Sequence, residues 1–204
     1  MILVNYKNPS YEFGDEKQRG CKVDPNEPLA LRSRCPKTGK VITTYYIGRI
    51  LEGTQSYTQL CTHLYIAEEN EVIKLIINTP GGDVTIGQMI ADAIKFTKAH
   101  VITVASGICA SCGALIWSLG DELIAEEWAR IMFHMSIHMD FGKTLDILDM
   151  ANGIVDQSRS IYAPIMRRKL LTDEEYAAMV NDKRNIYITG KEMQRRLAAS
   201  SEVA

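Results

Sequence analysis

The sequence predicts an α/β domain with a parallel sheet and crossover helices, and three observations carry that prediction. Short apolar runs at 72–77, 101–105 and 131–133 have the character of strands buried in a parallel sheet. Segments 84–99 and 111–119 lie between them and follow a helical period. The resulting β–α–β–α order calls for crossover connections. At 204 residues, 46% of them hydrophobic, the chain is long enough for one domain with an adequate core.

The elements follow in order. Residues 1–40 are rich in Pro, Gly, Asn and charge without a sustained apolar period, and read as an arm or loop. Within them Cys35-Pro36-Lys37-Thr38-Gly39-Lys40 has the composition of a hairpin turn. Cys21 and Cys35 stand far apart with no partner pair, which argues against zinc. Residues 41–51 are β-branched and aromatic, hence a strand. Thr54 opens an amphipathic helix with Tyr57, Leu60, Cys61, Leu64 and Tyr65 as its inner face. The helix at 84–99 turns Ile86, Met89, Ile90, Ala93, Ile94 and Thr97 inward. One long helix is predicted over 144–171, kinked or interrupted at Pro164. Two capping boxes, Thr172 with Glu175 and Thr189 with Glu192, open short C-terminal helices.

Composition narrows the function classes. A net charge of -2 gives no electrostatic pull toward nucleic acid or an acidic membrane. No apolar run reaches the roughly 18 residues that span a bilayer. The N-terminus lacks a basic region followed by an apolar stretch, so a secretory signal is not expected. Five cysteines, an odd number, then suggest reduced thiols in a cytosol.

Three short pieces carry chemistry. Asn78-Thr79-Pro80-Gly81-Gly82 follows a strand, and its paired glycines let backbone N–H groups approach a ligand without a Cβ in the way. The GxGxxG spacing of a dinucleotide site is missing. Ser111 follows the next strand at a predicted helix N-terminus, where free N–H groups and the dipole favour a developing oxyanion. A plain N-cap serine has the same appearance. Cys109 and Cys112 bracket it as a formal CxxC, but no second cysteine pair completes a metal site, and packing of small, soft residues around a tight turn explains both thiols better than redox chemistry does. His134 ends the third strand with an intrinsic pKa suited to a general base. His138 is four residues on, but no Glu follows His134 as HExxH requires. Oxyanion donors, a nucleophile and a base together form the minimum set for acyl transfer by a serine hydrolase.

Asn78-Thr79-Pro80-Gly81-Gly82-Asp83-Val84-Thr85 with Gly87, then Gly107-Ile108-Cys109-Ala110-Ser111-Cys112-Gly113-Ala114, then Arg130-Ile131-Met132-Phe133-His134 resemble the ClpP family of self-compartmentalising serine proteases. The resemblance runs from about Tyr45 to Glu192, and the interval from Gly82 to Ser111 needs no gap. It implies a ClpP/crotonase-like superfold of repeated ββα units with a protruding strand–helix handle, and a protease domain over 41–204. Ser111 becomes the nucleophile, His134 the general base, and the N–H groups of Gly82 and Cys112 the oxyanion hole. Gly142 and Asp146 fall where the handle interlocks two rings. The family assembles as paired heptameric rings and degrades unfolded polypeptides, fed by a ClpX- or ClpA-type AAA+ unfoldase that alone uses ATP. No cofactor, metal, nucleic acid or membrane partner is implied, and the location would be the cytoplasm, a host's if the chain is phage-encoded.

The chain also departs from the family pattern. Two residues before the Tyr187-Ile188-Thr189 segment, where the family has Asp, stands Asn185. An asparagine orients a histidine through its side-chain oxygen but lacks the charge that stabilises imidazolium. Asp182 is the alternative third member. The Ser111–His134 interval is two residues shorter than usual, Met135-Ser136-Ile137 replaces Gln-Pro-apolar, and the Gly-Leu-Ile-Asp ending is absent. Residues 1–40 occupy the place of the axial loops. Such divergence suits a phage- or plasmid-borne relative or a specialised paralogue. Two other readings stay open: a weak or inactive scaffold for an active paralogue, and a CoA-binding crotonase relative.

Overall fold

The computed structural model describes residues 30–48, 57–135, 165 and 168–201. The elements are β1 (Ala30–Arg34), β2 (Val41–Ile47), α1 (Thr58–Ile66), β3 (Val72–Thr79), α2 (Val84–Phe96), β4 (His100–Ala110), α3 (Cys112–Ser118), β5 (Glu122–Ala125), β6 (Arg130–Phe133), α4 (Asp173–Val180), β7 (Ile186–Thr189) and α5 (Gly190–Ser201). Among the described residues the strands form one seven-stranded sheet in the order β1-β2-β3-β4-β6-β7, with β5 also on β4. The pairs from β2 to β6 are parallel, while β1 and β7 close the edges antiparallel. The α/β class read from the sequence is therefore the observed one. The expected handle and the 144–171 helix lie outside the described residues, apart from Ile165 and 168–171.

Local chemistry explains the element ends. The 35–40 segment does form the hairpin turn, with Cys35 N donating to Lys40 O (2.9 Å), Gly39 N to Cys35 O (2.8 Å) and Gly39 at φ 70°. Its first strand, β1, occupies residues that the sequence reading assigned to an arm or loop. Edge pairing with β2 makes it a strand, since its exposed–intermediate alternation carries no apolar signal. Asp83 caps α2 by accepting from Thr85 N (2.7 Å). The Thr172–Glu175 capping box is complete. At the second box only the Thr189 half forms, because Arg195 and Arg196 hold the Glu192 carboxylate.

α1 and α2 pack side by side over the sheet and bury Leu60, Leu64, Ile86 and Ile90 against Ile73, Leu75 and Ile77. Each such side chain contributes about 1.5–3 kcal/mol of burial. Tyr65 does not belong to that inner face: it is 47% exposed and leans on Phe96, with ring centroids 5.4 Å apart. Every residue of α3 is buried, so this helix is apolar all round. Its neighbourhood satisfies its polar atoms: Trp117 Nε1 donates to Ile124 O (2.9 Å), and Thr103 Oγ1 to Trp117 O (2.6 Å). Among the described residues no helix is long and apolar enough to cross a membrane.

One irregularity decides where the chemistry sits. β4 was expected over 101–105 but runs for 11 residues. Its lower part pairs with β5 and its upper part with β6. Against β3 the register jumps, Ile77 facing Ala105 and Thr79 facing Cys109. The slack is taken up at Gly107 (φ 60°), and Asn78 Oδ1 accepts from Ile108 N at 3.0 Å. This bulge carries β4 onward to Ser111.

Candidate active site

Ser111 joins β4 to α3 at φ 56° and ψ −123°. A non-glycine residue at such angles costs about 1–3 kcal/mol and persists only where its surroundings enforce it. Here both of its backbone groups are engaged: Ser111 N donates to Met132 O on β6 (2.9 Å), and Ser111 O accepts from Leu115 N in α3 (3.1 Å). The side chain is thereby turned toward the end of β6, where His134 follows Phe133. Ser111 Oγ and His134 Nε2 are 2.7 Å apart. The sequence separates them by 23 residues, and pairing of β6 beside the upper part of β4 brings them together.

Burial pushes the His134 imidazole below its ordinary value of 6.5. A pKa below that value leaves the ring neutral at neutral pH, and the tautomer with Nε2 unprotonated can accept a hydrogen bond from Ser111 Oγ. The Pro80-Gly81-Gly82 turn lies against the other side of the serine. Gly81 has φ 105°, and a Cβ there would stand 2.5 Å from Ser111 Cβ and 3.1 Å from its Oγ. Only glycine lets the turn approach this closely. Cys112 opens α3, so its N–H belongs to the first turn, which has no intrahelical acceptor. Gly82 is exposed at the turn's tip.

Cys109 and Cys112 are buried free thiols, both pushed upward by burial. A thiol so held is a poor thiolate, which disfavours the redox reading of the CxxC. Cys112 instead directs Sγ at Gly82 O (3.5 Å), and Gly87 makes room, since a Cβ there would lie 3.0 Å from that sulfur.

Asn185 and Asp182 are both exposed. Asp182 stays at the end of α4, its N–H on Ala178 O (3.2 Å). Asn185 is better placed: the β6–β7 ladder ends at Phe133 opposite Ile186, so the next pair in register is His134 and Asn185. His138, Gly142 and Asp146 lie outside the described residues.

Sequence reasoning singled out the 78–82 segment for its paired glycines but gave no role to the side chains of Asn78 and Thr79 or to the Cys112 thiol. Asn78 and Cys112 act across 30 residues, on Ile108 N and Gly82 O, whereas the Thr79 hydroxyl bonds Gly81 two residues on and only its methyl meets a distant residue, Gly113.

A family model described as Clp protease matches residues 46–195. The chain is 30% identical over 132 residues to an ATP-dependent Clp protease proteolytic subunit 2 of Prochlorococcus marinus (strain MIT 9312), covering 58% of this chain and 64% of that protein. It is 32% identical over 129 residues to a proteolytic subunit 3 of Synechococcus sp. (strain CC9902), covering 55% and 63%. A shorter match, 38% over 78 residues, is to a proteolytic subunit 3 of Synechococcus sp. (strain CC9605), covering 36% and 39%. The matched stretch thus spans less than two thirds of each of these relatives.

Proposed function

The chain belongs to the Clp protease family, and from that premise we propose that it is a serine endopeptidase, the proteolytic subunit of a ring-shaped Clp-type protease. The observation that carries this reading is the 2.7 Å contact between Ser111 Oγ and a neutral His134 Nε2, on a serine held at a strained backbone angle. Ser111 Oγ attacks the peptide carbonyl carbon while His134 takes its proton. The resulting oxyanion is received by the N–H groups of Gly82 and Cys112. His134 then returns the proton to the leaving amine, which departs and leaves a seryl ester. Water, deprotonated by the same imidazole, hydrolyses that ester and frees Ser111. Asn185 orients His134 from the neighbouring strand position, with Asp182 as the alternative.

The remaining parts rest on the family. The subunits form heptameric rings stacked in pairs in the cytoplasm, and an AAA+ unfoldase of the ClpX or ClpA type delivers unfolded polypeptide. ATP is consumed by that partner, and this chain needs no cofactor. Selectivity then lies mainly with the unfoldase, since a closed chamber excludes folded protein. A fluorophosphonate or β-lactone probe labels Ser111 in the assembled, activated protein, and Ser111→Ala abolishes labelling. A wild-type protein that stays unlabelled refutes the enzyme reading. It leaves the scaffold subunit, which Asn185 in place of the family's Asp and the altered C-terminus motivate. Casein hydrolysis by the purified homo-oligomer excludes that alternative.

A further inference from the structure

The peptide that links Gly81 to Gly82 is gripped by a side chain outside the reacting atoms. Thr79, the last residue of β3, is fully buried. Its Oγ1 accepts from Gly81 N–H at 3.1 Å and donates to Gly81 O at 3.3 Å. One hydroxyl suffices for both, having one proton and two lone pairs. Gly81 O and the Gly82 N–H belong to one planar trans peptide, so they point in opposite directions. Whatever fixes the carbonyl fixes the N–H.

The threonine is itself locked. Its methyl Cγ2 lies against Gly113 in α3, where a Cβ would be only 2.5 Å away. A β-branched side chain held on that side has little χ1 freedom. Thr79 therefore touches the oxyanion turn with its hydroxyl and the helix that begins beside Ser111 with its methyl. The Cys112 thiol donates to Gly82 O, on the next peptide, at 3.5 Å.

We propose that Thr79 is a positioning residue for the oxyanion hole: its hydroxyl aims the Gly82 N–H, while its methyl only seats the side chain against α3. The inference rests on the serine-protease reading above. It assigns Thr79 no contact with substrate.

Thr79→Val keeps the shape and the methyl but removes the hydroxyl, while Thr79→Ser keeps the hydroxyl. The full-length assembled variants are compared for kcat and KM on a fluorogenic peptide, for affinity toward a peptide boronate that forms a tetrahedral adduct on serine, and for thermal midpoint. Thr79→Val is expected to lower kcat about three- to thirtyfold, less than the roughly hundredfold loss on deleting an oxyanion donor. Its KM should stay within about twofold and its boronate affinity should fall in step with kcat. Thr79→Ser should keep kcat within about threefold. Wild-type kcat and boronate affinity in Thr79→Val overturn the proposal. So does an equal loss in Thr79→Ser, which assigns the effect to packing. If Thr79→Val does not assemble, Thr79→Ala compared with Thr79→Ser carries the same expectation, because both lack the methyl and only serine keeps the hydroxyl. A wild-type protein that reacts with neither boronate nor fluorophosphonate removes the protease reading and this inference with it. A normally reactive wild type beside an equally reactive Thr79→Val removes this inference alone.

Discussion

Substituting Gly81 by alanine is the sharpest steric test of the site. The new Cβ would stand 2.5 Å from Ser111 Cβ, 3.1 Å from Ser111 Oγ and 3.1 Å from Ala110 O. Carbon atoms in contact prefer about 3.5–4.0 Å, so the turn and the serine must separate by roughly 1 Å. Neither side yields easily, since Ser111 is pinned by Met132 O and Leu115 N and the turn by Thr79. The alanine must also occupy φ 105°, which costs about 1–3 kcal/mol, and the overpacking costs about 1–3 kcal/mol more. A displacement near 1 Å between nucleophile and oxyanion donors lowers turnover about a hundredfold. Gly48→Ala is the control, because no described residue lies within 4 Å of its Cβ and its φ is not positive. Peptide hydrolysis and fluorophosphonate labelling are read beside circular dichroism and the melting midpoint. A folded Gly81→Ala protein with activity within threefold of wild type would refute the packing argument.

Further outcomes follow from the same geometry. Because burial lowers the His134 pKa, the labelling rate should rise with pH through a midpoint below 6.5 and level off above it; a midpoint at or above 6.5 contradicts the neutral-imidazole assignment. Asn185→Ala should lower kcat while Asp182→Ala leaves it unchanged, since only Asn185 continues the β6–β7 register opposite His134; full activity in both removes the orienting role. Arg196 binds Glu175 through two hydrogen bonds (2.6 and 2.9 Å) and also reaches Leu170 O (2.9 Å). Arg196→Met should cost about 1–3 kcal/mol in denaturant unfolding with labelling of Ser111 unaffected. Arg196 holds the Glu175 carboxyl below 4.5, and Arg195 together with Arg196 holds that of Glu192 at about 2. Their contribution to stability is therefore complete above pH 4.5 and lost as pH falls toward 2, a loss that Arg196→Met should flatten.

What the sequence determined by itself is whatever depends on neighbours in the chain. Apolar runs set the strands, a 3.6-residue period set α2, and Thr172 with Glu175 set the start of α4. The order and spacing of the Gly81-Gly82, Ser111 and His134 motifs was enough to identify the family. Tertiary structure decided what depends on partners far along the chain. β1 is a strand only because β2 lies beside it, and Tyr65 turns outward onto Phe96 because the core is already filled by Leu60 and Leu64. The length of β4 depends on Asn78 capping Ile108 across the bulge, 30 residues away. The same holds within the site. Local sequence places a serine after a strand, but its strained angle is sustained by Met132 on another strand, and the seat of Thr79 is the missing Cβ of Gly113. Periodicity reports which face of an element is apolar. Only packing reports which atoms that face will meet.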